Sequence, residues 1–388
     1  MLRDYFRKIM CVLLVFVGFA VNVPCAYAQK SDEAAGVNAP SAILLDAESG
    51  SVLCEKNSHE KRSCASLSKV MLMLLAFEAI DSGKTSLDTM VTASPIACAQ
   101  NGADIWLVES EQLSVEDLIK AVAMVAANDA AAALAEHLCG SIDACVKAMN
   151  DKAAALSLKD TSFKNITGDD ADGNYSSAYD LAVISKELVS HKKSLKYTSE
   201  WLDYIRDGAT QLVNTNNLVK SYDGMTGLRT GTTTLSGACM AASAQRDDMS
   251  LVAVVLGDKT SDMRFSDIQR LLDYGFSSFS SYTPQIPPEL PTEIPVEGGM
   301  EGTVKIDYSP NEQILMPSAD IELIEITYQL EDNLQAPISS GQQVGTVTYT
   351  CKGRQIAEYW ITAGEDSDEV HFFGIFKIYL NDMLCIFG

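Results

Sequence analysis

Apolar and polar positions divide the chain before any single residue is weighed. Arg3, Arg7 and Lys8 precede an apolar run from Ile9 to Val23, and Ala26-Tyr27-Ala28 then offers small residues at the spacing of an export-signal cleavage site. The run is short for crossing a bilayer, so residues 1–28 are expected to be a removed signal peptide rather than an anchor. A polar stretch through Pro40 follows, read as a linker over 29–40. Ser41 to Asp46 is strand-like, turns at Glu48-Ser49-Gly50 and returns through Val52 and Leu53 as a hairpin. Ser66 to Ile80 carries a helical apolar pattern, and Ser114-Val115-Glu116-Asp117 is a capping box opening a second apolar helix that runs to Leu138. Gly168 to Ser176 reads as loop, Ala178 to Val189 as helix and Leu251 to Leu256 as a buried strand. Arg264 to Phe276 reads as a helix ending at Gly275.

The pattern then changes character. Pro284, Pro287, Pro288, Pro291 and Pro295 mark an extended linker over 283–300. Short alternating segments without helical period follow to Ile361, which predicts a small β domain over 301–366. Residues 367–388 form the last segment. On a helix they gather Phe372, Phe376, Tyr379, Leu380, Met383 and Phe387 on one side and Lys377, Asn381 and Asp382 on the other. Such a helix on an exported chain is expected to lie in a membrane surface, the alternative being docking on its own domain. Lys377 is its one cation, so adhesion would be hydrophobic rather than electrostatic.

Composition narrows the function. The chain of 388 residues carries 29 basic and 52 acidic side chains, a net charge of −23, which excludes a nucleic-acid partner on electrostatic grounds. The excess is concentrated after residue 280, where 17 acidic residues face 4 basic ones. Eight cysteines remain beyond the signal, with no C-x-x-C pair; bridges and buried free thiols are both open for them. His59, His137, His191 and His371 show no paired spacing, so neither a metal nor another cofactor is expected. G-x-S-x-G and Gly-rich phosphate loops are absent as well.

Three ordered motifs carry the chemistry. In Ser66-Leu67-Ser68-Lys69 the first and last residues are one helical turn apart, so their side chains can meet. A serine hydroxyl needs a base within reach, and Lys69 can serve if burial or a neighbouring cation populates its neutral amine. A helix N-terminus adds N–H groups where an oxyanion would form. In Ala126-Ala127-Asn128-Asp129 an asparagine interrupts an alanine-rich helix, which points to a role for its amide. Arg229-Thr230-Gly231-Thr232, ahead of an apolar strand from Cys239 to Ala242, supplies a cation, hydroxyls and a glycine. That set suits a peptide carboxylate, with Gly231 letting the substrate backbone approach.

The chain's ordered set, S-x-x-K, A-x-N and R-T-G, resembles the S-x-x-K, S-x-N, K-T-G of penicillin-binding proteins and serine β-lactamases. The chain is most similar to the low-molecular-weight D-Ala-D-Ala carboxypeptidases of clostridial and bacillar type. The likeness covers nearly all of it, including Leu212-Val213-Asn214-Thr215-Asn216, Val254-Val255-Leu256-Gly257 and Gly341-Gln342-Gln343-Val344-Gly345. The resemblance implies an α/β (α+β) catalytic domain over 41–282, an α/β/α sandwich on an antiparallel sheet, then the β domain and a terminal amphipathic helix. It implies acylation of Ser66 with Lys69 as base, an oxyanion hole from the N–H groups of Ser66 and Thr232, and Asn128 on the substrate amide. Thr230, Arg229 and Arg264 would bind the terminal carboxylate. The implied partners are peptidoglycan stem peptides, β-lactams and the extracytoplasmic membrane face or wall. Two departures stand out. Ala126 occupies the place of a proton-relaying serine, and Arg229 that of a lysine. A family member that binds wall peptides or a wall-synthesis partner without turnover is the alternative they raise.

Overall fold

The computed structural model describes residues 36–310 and 313–371, which fall into two compact units. The signal segment and residues 372–388 of the amphipathic helix expected over 367–388 lie outside the described residues; its first residues are not helical, since Ser367 and Glu369 form β-bridges with Ile338 and Gly299. In the larger unit, β1 (Ser41–Asp46) and β2 (Val52–Lys56) form the expected hairpin. They join β3 (Met225–Thr233), β4 (Gly237–Arg246) and β5 (Met249–Asp258) in one antiparallel sheet of order β2-β1-β5-β4-β3. Because strand side chains alternate, both faces of this apolar sheet need cover. Ile43, Leu45, Val252, Val254 and Leu256 pack into one core, while Ala42, Leu44, Leu251, Ala253 and Val255 pack into another.

The first core is filled by helices α1 (Lys69–Asp81), α2 (Val115–Val125), α3 (Asn128–Cys139), α4 (Ile142–Ala155) and α5 (Ala178–Ser190). The second is covered by α6 (Ser261–Ser278). The result is the α/β/α sandwich expected. Gly275 does not end α6. It lies inside the helix, where an added Cβ would come 2.5 Å from Leu251 Cδ1 and 2.9 Å from Leu44 Cδ2, so it lets helix and sheet close together. Residues 36–40, read as the end of a linker, also belong to this unit. Ala39 is wholly buried, and the backbone N–H groups of Asn38 and Ala39 donate to Asp267 Oδ2 at 2.6 and 2.7 Å.

Asp267 has a buried neighbour, Asp258, at the end of β5. Neither oxygen of Asp258 meets a donor among the described residues. Burial, then the negative charge of Asp267, push its carboxyl up to about 7, against the opposing pull of Arg264 and Lys56. A buried carboxyl that meets no donor and faces a second negative charge favours its protonated form. The folded pKa is therefore raised, and the stabilisation is complete below the unfolded value near 4 and lost as pH rises through about 7. Asp258→Asn is neutral at every pH. Its melting temperature should exceed that of the parent at pH 8 by several degrees and match it at pH 5; equal differences at both pH values would mean that Asp258 does not keep its proton in the folded protein.

The smaller unit is a six-stranded sheet. Its strands are β6 (Glu293–Glu297), β7 (Thr303–Asp307), β8 (Ile324–Leu330), β9 (Leu334–Gln335), β10 (Gln343–Cys351) and β11 (Arg354–Ala363), ordered β8-β10-β11-β7-β6-β9. The Pro-rich stretch expected to continue to residue 300 thus contributes a strand, with Pro295 paired against Thr303. Val344, Val347, Tyr349 and Ile361 are buried in this unit. Among the described residues no helix is long and apolar enough to cross a membrane.

Candidate active site

Ser66 sits in a short 3₁₀ turn, Ala65–Ser68, immediately before α1, rather than in the α-helix expected from the apolar pattern. The tighter turn brings residues three apart into line. Lys69 Nζ lies 3.4 Å from Ser66 Oγ and donates to Thr167 O at 2.5 Å. Lys69 has no exposed surface. Burial, and after it the Arg229 guanidinium, bring its ammonium down to about 7, against the opposing pull of Asp169 and Cys64. Both causes named from the sequence, burial and a neighbouring cation, are present.

The loop that supplies Thr167 is held against the nucleophile turn. Gly168 has φ +87°, and an added Cβ would fall 1.8 Å from Ala65 O, so no other residue fits. Asp170 then fastens the loop: Oδ1 accepts from Ser63 Oγ and Thr233 Oγ1, both at 2.8 Å, and Oδ2 from Leu235 N at 3.2 Å. These contacts tie together the approach to Ser66, the loop behind Lys69 and the β3–β4 turn. Thr167 and Asp170 carry no motif, and sequence reading passed over them.

The helix expected over 114–138 is broken. Ser114 caps α2 as its sequence promised, its side chain accepting from Asp117 N at 3.0 Å, but α2 ends at Ala126 in the left-handed region, φ +61°. Asn128 therefore begins α3 instead of interrupting a helix. Its backbone N–H donates to Ala103 O and its amide Nδ2 to Asn101 O at 2.5 Å. A left-handed alanine costs roughly 1–2 kcal/mol, a strain that Gly or Asn would relieve.

Asp129 next to it organises the loop above. Its buried carboxylate accepts from Leu107 N at 2.9 Å and Ile105 N at 3.1 Å. Ile105 and Leu107 are drawn into the core. Trp106 between them takes φ +56° and stands 76% exposed beside Asn128's loop.

The third motif lies on β3, at the edge of the sheet. Gly231 does allow a close approach, but to the protein itself: an added Cβ would lie 2.8 Å from Ser66 N and 2.9 Å from Ala65 Cβ. Arg229 is buried and largely committed. Nη1 donates to Val122 O at 2.6 Å and Ala123 O at 2.8 Å, closing the last turn of α2. Nε donates to Thr230 O at 3.1 Å and Nη2 to Thr215 Oγ1 at 2.7 Å. Of five donors one remains, so Arg229, expected to bind the terminal carboxylate, cannot grip it with two parallel N–H groups. Burial, then Arg264, lower it to about 10, which leaves it charged at neutral pH.

Arg264 reaches the motif from α6, with Nη1 3.2 Å from both Gly231 O and Thr232 Oγ1. Thr230 is buried, Thr232 is exposed, and Ser66 is half-buried. Among the described residues the seven cysteines are all free thiols.

Comparison with known proteins places this arrangement. The family model described as D-alanyl-D-alanine carboxypeptidase matches residues 28–260, and that of the penicillin-binding protein 5 C-terminal domain matches 285–369. D-alanyl-D-alanine carboxypeptidase DacF of Bacillus subtilis is 34% identical over 97% of this chain and 98% of its own length. The structure of penicillin binding protein 5 from Haemophilus influenzae superposes with a TM-score of 0.72 at 30% identity, covering 86% of this chain and 98% of that one. Penicillin-binding protein D2 of Listeria monocytogenes, solved in its ampicillin-bound form, matches at a TM-score of 0.57 and 32% identity, over 62% of this chain and 98% of that one.

Proposed function

This chain belongs to the D-alanyl-D-alanine carboxypeptidase family, and from that premise and the geometry around Ser66 we propose how its residues divide the work. As a serine carboxypeptidase it removes the terminal D-alanine of peptidoglycan stem peptides. Ser66 is the nucleophile. Neutral Lys69 takes its proton as Oγ attacks the carbonyl between the two D-alanines, and the N–H groups of Ser66 and Thr232 receive the developing oxyanion. Asn128 holds the peptide amide of the substrate, and Thr230 and Thr232, backed by Arg264, hold its terminal carboxylate. The C–N bond breaks, D-alanine leaves with the proton returned to its nitrogen, and water then releases the shortened peptide from Ser66. β-Lactams acylate the same oxygen.

The observation that carries this reading is the buried Lys69 amine 3.4 Å from Ser66 Oγ, with its pKa drawn down to about 7. The basic N-terminus with its apolar run and the terminal amphipathic segment support action outside the cytoplasm, at the membrane face. The test is direct. Incubation with benzylpenicillin should add one penicilloyl group by intact mass, mapped by peptide digestion to Ser66, and an acyl-D-Ala-D-Ala peptide should lose D-alanine. An adduct without D-alanine release would make the protein a wall-peptide binder; no adduct at all would remove Ser66 from the chemistry.

A further inference from the structure

Two exposed charges of opposite sign face one pocket near the nucleophile turn without meeting each other. The pocket, ≈ 450 Å³ in volume, is walled by residues 61–63, the loop 170–175 and Leu235. Its other charges are already answered. Arg62 pairs with Glu60 at 3.0 Å, and Asp170 accepts from Ser63, Thr233 and Leu235. Asp172 is exposed and has neither a hydrogen bond nor an ion pair among the described residues. Lys61 has a long, exposed pairing with Asp160 at 3.7 Å and stands 5.1 Å from the centre of the Tyr175 ring. Such a surface pair holds a lysine weakly. Tyr175 and Leu235, the latter 72% exposed, add apolar surface to the same walls.

The direction of the substrate leads into this pocket. Its terminal carboxylate sits at the hydroxyls of Thr230 and Thr232, and its scissile carbonyl at the N–H groups of Ser66 and Thr232. Toward its own N-terminus an extended peptide therefore passes Thr232 and runs along β3 to Thr233 and the turn at Leu235. Each extended residue advances about 3.3 Å. The residue ahead of the two D-alanines thus comes opposite the end of β3, where Asp170 bonds Thr233 Oγ1 and Leu235 N and also lines the pocket.

We propose that this pocket is the subsite for the residue preceding D-Ala-D-Ala, and that it selects a long side chain ending in an amino acid, with an ammonium and a carboxylate on one carbon. The carboxylate meets Lys61, the ammonium meets Asp172, and the methylene stem lies on Tyr175 and Leu235. A side chain carrying one charge alone gains one partner and is repelled by the other, so the two residues together discriminate as neither does singly. The inference rests on the carboxypeptidase reading and adds Lys61 and Asp172 to it as specificity-determining residues.

The experiment compares D-alanine release from two acetylated tripeptides ending in D-Ala-D-Ala. One begins with 2,6-diaminopimelate, whose side chain ends in an amino acid, and the other with norleucine, which is uncharged. The parent should favour the diaminopimelyl peptide about tenfold in kcat/KM, K61Q and D172N should each cut that ratio about threefold, and the double variant should bring it within about twofold of unity. The norleucyl rate should stay within about twofold of the parent in all three variants, whereas a structural role would slow both peptides alike. A parent ratio near one, or an unchanged ratio in the folded variants, overturns the inference. Should the parent release D-alanine from neither peptide, the carboxypeptidase reading fails and calorimetry on Ser66→Ala protein decides the pocket. Tighter binding of the diaminopimelyl peptide, lost in the double variant, upholds the subsite; equal affinity for the two peptides overturns it.

Discussion

Replacing Lys69 with methionine lowers both penicilloylation and D-alanine release by about 10⁴-fold, as severely as Ser66→Ala, and the double variant is no slower than either. The non-additivity follows from the geometry. Ser66 Oγ lies 3.4 Å from a single base, so removing either partner removes the whole activated nucleophile. Methionine is close to lysine in length and leaves a buried site filled, which keeps the loss chemical rather than structural. The remaining activity would come from the oxyanion donors and binding alone. The pH dependence of the parent carries the same signature. Only the neutral amine accepts a proton, and burial with the Arg229 charge has brought Lys69 down to about 7. Acylation should therefore rise about tenfold per pH unit below that value and level off above it. Rapid-mixing mass measurements from pH 5 to 9 would show this, and a Lys69→Met rate within tenfold of the parent would exclude Lys69 as the base.

Ala126→Ser is the second large effect, and its sign is opposite. Ala126 stands at the break between α2 and α3, beside Asn128, in the place where the family resemblance expects a hydroxyl. A methyl group there cannot pass a proton to the departing amine, and one lost relay group typically costs 10²–10⁴-fold. Restoring the hydroxyl should raise D-alanine release by about 10²-fold. The effect on penicilloylation should be smaller, because the strained β-lactam ring opens with less help to its nitrogen. Serine tolerates the left-handed backbone no worse than alanine, so stability should hardly change, and circular dichroism melts would confirm equal folding. A variant with unaltered turnover would mean that proton delivery to the leaving group does not limit this enzyme.

How far the chain could be read without coordinates depends on what each feature rests upon. The strands were legible because period-2 alternation and β-branched runs survive in a sheet buried on both faces. The Ser66/Lys69 pair was legible because its chemistry is a spacing of three within one element. The break at Ala126 was not. Seven alanines between Ala121 and Ala135 read as uninterrupted helix, and the turn is imposed by tertiary contacts: Arg229 closing α2 and Asn128 bonding Ala103 and Asn101. The same blindness hid the commitment of Arg229 to α2, whose carbonyls of Val122 and Ala123 lie more than a hundred residues away. Gly231 and Gly275 were singled out for a turn or a ligand, whereas their missing side chains serve contacts between elements that no local pattern encodes. Thr167 and Asp170 act through a backbone carbonyl and a surface carboxylate, both chemically ordinary until the fold gathers their partners.

The tryptophan held out by Asp129 gives the protein an optical property as well. Trp106 is one of three tryptophans in the chain, and it is largely exposed beside the loop that bonds Asn128. A fluorophore in water emits at long wavelength and is easily quenched, so any molecule that settles against that rim changes its colour and brightness. Ligand binding at that rim should therefore shift its emission, which stopped-flow fluorescence would read without a label.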